Sequence, residues 1–563
     1  MMCAVSDDRA TIQELAWRRL ALCHRIVFFA WAVSFAWMGP FCLGGIPALA
    51  AELYNSDGID LRWDNTIQYS AMFRLNGRDP ILLSDPNADD GDRDFPAGFA
   101  SNRIDLQSEI SVFKDGLGFD ASAEGWYDSL YDQRNGNNSP ATFNPVSVAH
   151  NRFTDQTQVQ EGRDAELRNA FIQDRFEIAG MPLSLRVGRQ TLLWGESLFF
   201  PENGIAGGQA PVDQEKQLRV PTDYARNVYL PVTQASASLQ LPSGLAIDAY
   251  YQFEWRPDRT PAAGSYFSAV DYLDAGGERI ILAPGQYFYR ADDQKPPPGG
   301  QFGAALRFSD GEVDYGLYAL RFNAKDPEIY YRPGIAVGSG PPPVITDPGV
   351  VNLAIGKVGT YRLVYPQHIE LYGASASFYV GDNNVALEIS GRRNMPLVSQ
   401  PLYLAPGQAA DGGDNPLYAL GDTLHAQAST VTTFARNAVW DSADLQAEIA
   451  ANYRLDVTRN RAALDPSRSK GAIEFRGTFE PSYYEVLPNL DLTLVLGLGY
   501  NLAGKSSINP YEYEATGDVE FGVTAHFRTV WQGSLLLTHY LGDPTDQSFA
   551  DRDFISLTVQ RTF

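Results

Sequence analysis

LDLTLVLGLG (Leu490–Gly499) sets Leu490, Leu492, Leu494, Leu496 and Leu498 against Asp491, Thr493, Val495, Gly497 and Gly499. Successive side chains of a strand point to opposite faces, so one face here is wholly apolar and the other mostly small or polar. DVEFGVTAHF (Asp518–Phe527) and LAIDAYYQFEWR (Leu245–Arg256) repeat the pattern, with aromatic residues near an end. A strand between lipid and a wet lumen is built this way.

Working outward, the connections between such stretches fall into two kinds. Short turns stand at Lys114-Asp115-Gly116, Ala179-Gly180-Met181, Leu241–Ser243, Ser309-Asp310-Gly311 and Gly381-Asp382-Asn383. Long polar loops rich in Gly and Pro lie between them, at about 76–100, 128–162, 197–231, 256–300, 323–367 and 394–422. Strict alternation of short and long is the order of an up-and-down barrel with periplasmic turns and extracellular loops. Counting back from the last strand, Arg552–Phe563, makes 542–551, 502–515 and 455–469 external and 481–488 periplasmic. Parity then demands one more strand before Ala443, and the weakly patterned Thr423–Phe434 fills the place. The expected fold is all-β: a transmembrane antiparallel up-and-down β-barrel of about 18 strands, 16 being the alternative count, with both termini periplasmic. A soluble sandwich or propeller explains the alternation but not the loop parity.

The N-terminus fits export. Arg18, Arg19 and Arg25 flank the apolar run Ile26–Phe41, and Pro47-Ala48-Leu49-Ala50 offers a small-residue cleavage site. Residues 1–51 are therefore expected to be a secretory signal cut after Ala50 or Ala51, and 52–563 a single barrel domain. Cys3, Cys23 and Cys42 all fall in the removed part, which leaves no thiol for a disulfide, a nucleophile or a metal. The net charge of -24 repels nucleic acid. The chain ends with Ile555, Leu557, Val559, Arg561 and Phe563 on one face. A terminal Phe563 on an amphipathic strand resembles the signal read by the barrel-assembly machinery, and Arg561 departs from it. Outer-membrane lipid and lipopolysaccharide are the remaining expected surroundings.

PLSLRVGRQTLLWGESLFFPENGI (Pro182–Ile205), LRVP (Leu218–Pro221), YQFEWRPDRTPAAGSYFS (Tyr251–Ser268) and NADDGDRDF (Asn87–Phe95) resemble the family catalogued as domain of unknown function 1302. The resemblance implies a proteobacterial outer-membrane protein without an agreed activity. It also implies two partners, a periplasmic lipid-carrier-like protein and an RND-superfamily exporter.

Several groups invite chemistry. In LRVGRQTLLWGES, Leu183, Leu185 and Val187 share one face, and Ser184, Arg186 and Gln190 the other. Arg186, Arg189, Gln190, Trp194 and Glu196 are candidates for a constriction fed by the loop that follows. The plain alternative is a lumen arginine paired with carboxylates, with Gly188 and Gly195 relieving crowding. Glu388 and Arg392, Glu448 and Arg454, and Glu474 and Arg476 are further lumen candidates; Arg103, Asp105 and Glu109 belong with them. Mixed charge ladders solvate a wide barrel, and rings of one sign select solutes.

Asp85, Asn87, Asp89, Asp90 and Asp92 suggest calcium, but the EF-hand spacing fails. Gly91 comes one place late and Pro96 stands where a bidentate Glu is needed, so no metal or cofactor is expected. Nor is an enzyme: His526 and His539 lie near Ser534 without a nucleophile elbow, and His150, His368 and His425 lack ligand spacing. Two functions stay open. One is a porin-like channel or uptake protein for a small solute, with Tyr266, Phe267, Tyr272, Tyr287, Phe288 and Tyr289 a greasy mouth for an apolar or aromatic one. The other is a docking or exit component of a lipid or envelope transport system.

Overall fold

The computed structural model describes residues 51–56, 58–219, 228–336 and 343–563, with side chains from 58 onward. Apart from Ala51, the expected signal lies outside them. Eighteen antiparallel strands, from Ile59–Arg74 to Phe554–Thr562, each pair with their neighbours in the chain and close into a barrel. Closure sets Thr66 opposite Thr562 and Arg74 opposite Phe554. Pairing round the ring satisfies the wall's backbone within the sheet, the condition for crossing hydrocarbon. Among the described residues no helix is long and apolar enough to span a membrane.

Turn chemistry explains the short connections. Asp115 and Gly116, and again Ala179 and Gly180, all have positive φ between paired strands. Two left-handed residues in succession match the twist of a two-residue hairpin. The extra strand required by parity is present, as Ala419–Phe434. At 481–488 the wall runs further than expected, to Leu487, and leaves only Pro488 and Asn489 to turn. A short strand, Ala51–Ser56, pairs with Ile59–Trp63 on the edge that Phe554–Thr562 leaves uncovered. Phe563 exchanges both backbone hydrogen bonds with Asn65, each of 2.9 Å.

Alternation assigns the faces. Ile172, Val187, Leu317, Leu498 and Phe521 stand exposed on the outside, whereas Ser390, Gln427, Glu448 and Glu520 are buried within. Aromatic groups gather near the ends of the wall, as with Phe434, Trp440 and Phe479, or the stacked pair Phe308 and Tyr315. This is a Gram-negative outer-membrane barrel with an apolar belt and aromatic girdles. Phe521 lies midway along Gly517–Phe527 with 57% of its surface exposed. Phe521→Arg is expected to destabilise the inserted barrel by about 2–4 kcal/mol. Urea titration of the protein folded into lipid vesicles measures the loss.

The long loops are less irregular than expected. Five segments from three loops form a second sheet, in the order Leu402–Tyr403, Glu328–Pro333, Lys357–Val364, Gln286–Arg290 and Arg279–Ala283. Ile280, Phe288, Val358 and Tyr361 form its buried core. Other loop residues turn inward: Phe95, Tyr131, Phe153, Tyr266 and Phe267 pack with Met72, Tyr540 and Phe554 of the wall. Tyr266 and Phe267 are each 1% exposed, which corrects their reading as part of a greasy mouth. Phe288 is buried in the second sheet and is lost to that mouth as well.

Candidate functional site

The strand Met181–Gln190 leads into the loop 191–231, whose described residues 191–219 fold into the barrel instead of away from it. Trp194 leads it in, with its ring 5.0 Å from Tyr250 and 6.1 Å from Tyr318, in a cluster with Ile205, Leu320 and Leu371. Carboxylates on the inner wall then seize the loop backbone. Glu448 accepts from Leu198 N at 3.1 Å, Phe199 N at 2.5 Å and Phe200 N at 3.1 Å. Glu388 accepts from Glu196 N at 2.7 Å and also from Ile205 N. Arg392 donates to the carbonyls of Glu202, Asn203 and Gly204 at 2.7–2.9 Å. A desolvated ion held by several backbone dipoles is among the stronger non-covalent anchors, because the low dielectric strengthens each bond. Gly195 is required by this seat: its φ is +92°, and a Cβ there would stand 2.3 Å from Glu388 Oε2.

The structure brings Trp194, Glu196, Glu388, Arg392 and Glu448 together at this seat. Gln190 is buried on the lumen face beside Gln234. Arg186 faces the lumen away from the loop and donates to Gln173 at 3.1 Å. Arg189 takes the opposite face from Gln190 and pairs with Glu254 at 2.9 Å, so it does not line the constriction. Arg454 is six residues from Glu448, about 20 Å along a strand, and stands opposite Thr423. Arg476 bonds Asp518 and Glu520 across the wall, while Glu474 meets Glu512 of the loop 504–516. Asn203, His425 and Gln427 join the seat without having been candidates for it. His425 Nδ1 lies 2.9 Å from Asn203 Oδ1 and Asn203 Nδ2 lies 3.2 Å from Gln427 Oε1, and no spacing pattern announces those contacts.

Acids dominate what is left around the loop. Burial pushes the Glu202 carboxyl up to about 7, with Asp326 and Glu512 adding repulsion. Glu196 is raised too, first by burial and then by Glu388. Lys325, buried against the Gly207 carbonyl at 3.0 Å, is lowered to about 8.

The sequence profile of the family described as "Protein of unknown function (DUF1302)" matches residues 30–563. The chain belongs to the DUF1302 family. No curated protein matches it in sequence. Among solved structures it is similar to OccAB3 of Acinetobacter baumannii, at 11% identity and TM-score 0.43, over 89% of this chain and 99% of that one. It is also similar to the outer membrane channel DcaP of Acinetobacter baumannii, at 9% and 0.36, over 91% and 100% of the two chains. OpdK of Pseudomonas aeruginosa, solved with vanillate, gives 11% and 0.37 over 89% and 98%. These likenesses bear on no residue of the site.

Elsewhere in this DUF1302 barrel, a cavity of about 400 Å³ at the outer end is lined by Trp126, Val159, Gln160 and Arg259 among others. His539 shares the lipid face with Leu535 and Leu537, and its Nδ1 lies 2.7 Å from Asp553. Ser534 is on the opposite face, so the two cannot act on one substrate. The five residues of the spaced calcium reading do not converge. Asp85 is exposed and caps Asn87 N at 2.9 Å, and Asp92 contacts Arg74. Asn87 bonds both backbone groups of Ile281.

Proposed function

We propose that this protein is a porin-like channel for small solutes, whose bore is narrowed by the inward residues 191–219 and whose uncompensated acids favour cations over anions. One observation carries the reading: a closed 18-strand barrel holds an inward loop on three buried wall side chains, Glu388, Arg392 and Glu448. An eighteen-strand wall encloses more room than its own side chains fill, so a pinned loop sets the aperture. Recording from the purified full chain in planar bilayers tests this. Steady conductance with a cation-selective reversal potential is expected in a salt gradient, and silence at all voltages would sink the reading.

The Glu202 carboxyl adds a pH dependence. It gains its charge as pH rises through about 7, so cation selectivity should increase between pH 6 and pH 8. Glu202→Gln should flatten that profile, measured as reversal potential against pH.

The second reading is a docking or exit component working with a periplasmic carrier and an RND-type exporter. It is favoured by the packing of Tyr131, Phe153, Tyr266 and Phe267 inside the outer end. A barrel without conductance that co-purifies with a periplasmic carrier would support it.

A further inference from the structure

The strongest unassigned feature joins two extracellular loops far apart in sequence. Asp89, Asp90 and Asp94 of loop 75–97 and Asp271 of loop 253–300 are all buried. Among the described residues one oxygen each from Asp89, Asp90 and Asp271 lie within 4.8 Å of one another. Three carboxylates at that separation repel strongly out of water, and a buried charge persists only when paired or bound to a metal.

Nearby cations do not balance them. Arg93 takes Asp89 Oδ2 at 2.5 Å, while Arg78 bonds the carbonyls of Asp92, Arg93 and Gly136. Arg552 is likewise spent on the carbonyls of Tyr266 and Ser268. Among the described residues, no ion pair reaches Asp90, Asp94 or Asp271.

Hydrogen bonds account for only some of the oxygens. Asp90 accepts from Asn137 Nδ2 and Asn144 N, each at 3.0 Å, and Asp271 Oδ2 accepts from Asp90 N at 3.1 Å. The remaining oxygens, Asp89 Oδ1 and Asp271 Oδ1, belong to residues with no exposed surface and have no hydrogen-bond partner. Asp94 Oδ1 and the fully buried Ser265 hydroxyl are in the same position. Ser265 lies close by, its carbonyl oxygen 2.6 Å from where a Cβ on Gly91 would sit. Unpartnered buried polar atoms are rare in native proteins, and two of them, Asp89 Oδ1 and Asp271 Oδ1, on carboxylates that converge within 4.8 Å point to a missing ligand.

We propose that Asp89, Asp90 and Asp271 bind one divalent cation, calcium by preference, which clips loop 75–97 to loop 253–300 at the outer end of the barrel. Two oxygens on one calcium ion at about 2.4 Å are at most about 4.8 Å apart, a condition that Asp89, Asp90 and Asp271 meet pair by pair. Their set is all oxygen, the choice of a hard cation, and Ca²⁺ accepts irregular geometry that Mg²⁺ does not. The clip takes in loop 129–162 as well, because Asn137 and Asn144 hold Asp90 from that side. Asp89 and Asp90 fall within the spaced reading of the sequence, but the ligand that completes the set comes from Asp271, 181 residues on.

Calcium titration of the full chain tests the proposal, with the protein folded in lipopolysaccharide-free detergent and stripped with chelator. One Ca²⁺ per chain is expected by mass spectrometry of metal content. Bound Tb³⁺ should luminesce through the adjacent Tyr272. Asp90→Asn and Asp271→Asn should weaken calcium binding by roughly tenfold or more, and Asp85→Asn should leave it unchanged. Should the Asn variants fail to assemble, Asp271→Glu keeps the charge, displaces the oxygens and is expected to fold while binding more weakly. Absence of stoichiometric calcium in the unaltered protein overturns the proposal, as does an equal loss in Asp85→Asn. So does a chelator-treated Asp271→Asn barrel that outlasts the calcium-supplemented parent on heating, since the carboxyls would then be protonated and metal-free.

Discussion

Glu448→Ala is expected to raise single-channel conductance severalfold and to make the open level noisy. In the native barrel the Glu448 carboxylate, 1% exposed, accepts three consecutive backbone N–H groups of loop 191–231. Alanine removes the acceptor and leaves three donors without one, at about 1–3 kcal/mol for each that stays buried. The loop escapes that cost by lifting away, and its seat then rests on Glu388, Arg392 and Trp194. Glu448→Gln should fall between, since an amide oxygen accepts the same hydrogens without the charge that strengthens them. The barrel wall does not depend on Glu448 for its ladder, so folding, read as heat-modifiable gel mobility, should persist. Unchanged conductance in Glu448→Ala would mean that the loop does not set the aperture.

How far these features were legible depends on what each residue faces. Leu490–Leu498 announces a strand because its two faces meet different solvents. Thr423–Phe434 announces little, since its lumen face is covered by loop 191–231 through His425, Gln427 and Ser429. Only loop parity found it. Glu388 and Glu448 were readable as lumen charges by alternation, but their partners are backbone N–H groups, which no side-chain pattern betrays. Arg189 was misplaced toward the lumen, although alternation from Val187 already puts it outside. The second sheet stayed hidden for another reason. Tyr287 pairs in parallel with Lys357, 70 residues away, and its strands are too short to show a period.

The other large effect belongs to Arg74, which ends the first barrel strand without any exposed surface. Its guanidinium stands 2.6 Å from Asp92 Oδ1 in loop 75–97 and 2.9 Å from Asp551 Oδ2 in loop 542–553, and it donates to the Phe95 carbonyl at 2.7 Å. Arg74→Met keeps most of the volume and removes the charge, so two buried carboxylates are left facing each other. Breaking a buried pair from one side costs about 3–5 kcal/mol. The loss should be local, since the wall ladder is intact. Loops 75–97 and 542–553 are expected to become cleavable by protease while the barrel keeps its heat-modifiable mobility. Adding Asp92→Asn should restore part of the resistance, as a coupled pair requires. The same variant separates the two functional readings. If the unaltered protein conducts and Arg74→Met merely adds noise, loop 191–231 is the limiting aperture. If conductance emerges only in Arg74→Met, the outer loops are a closed door and the periplasmic face is the working one.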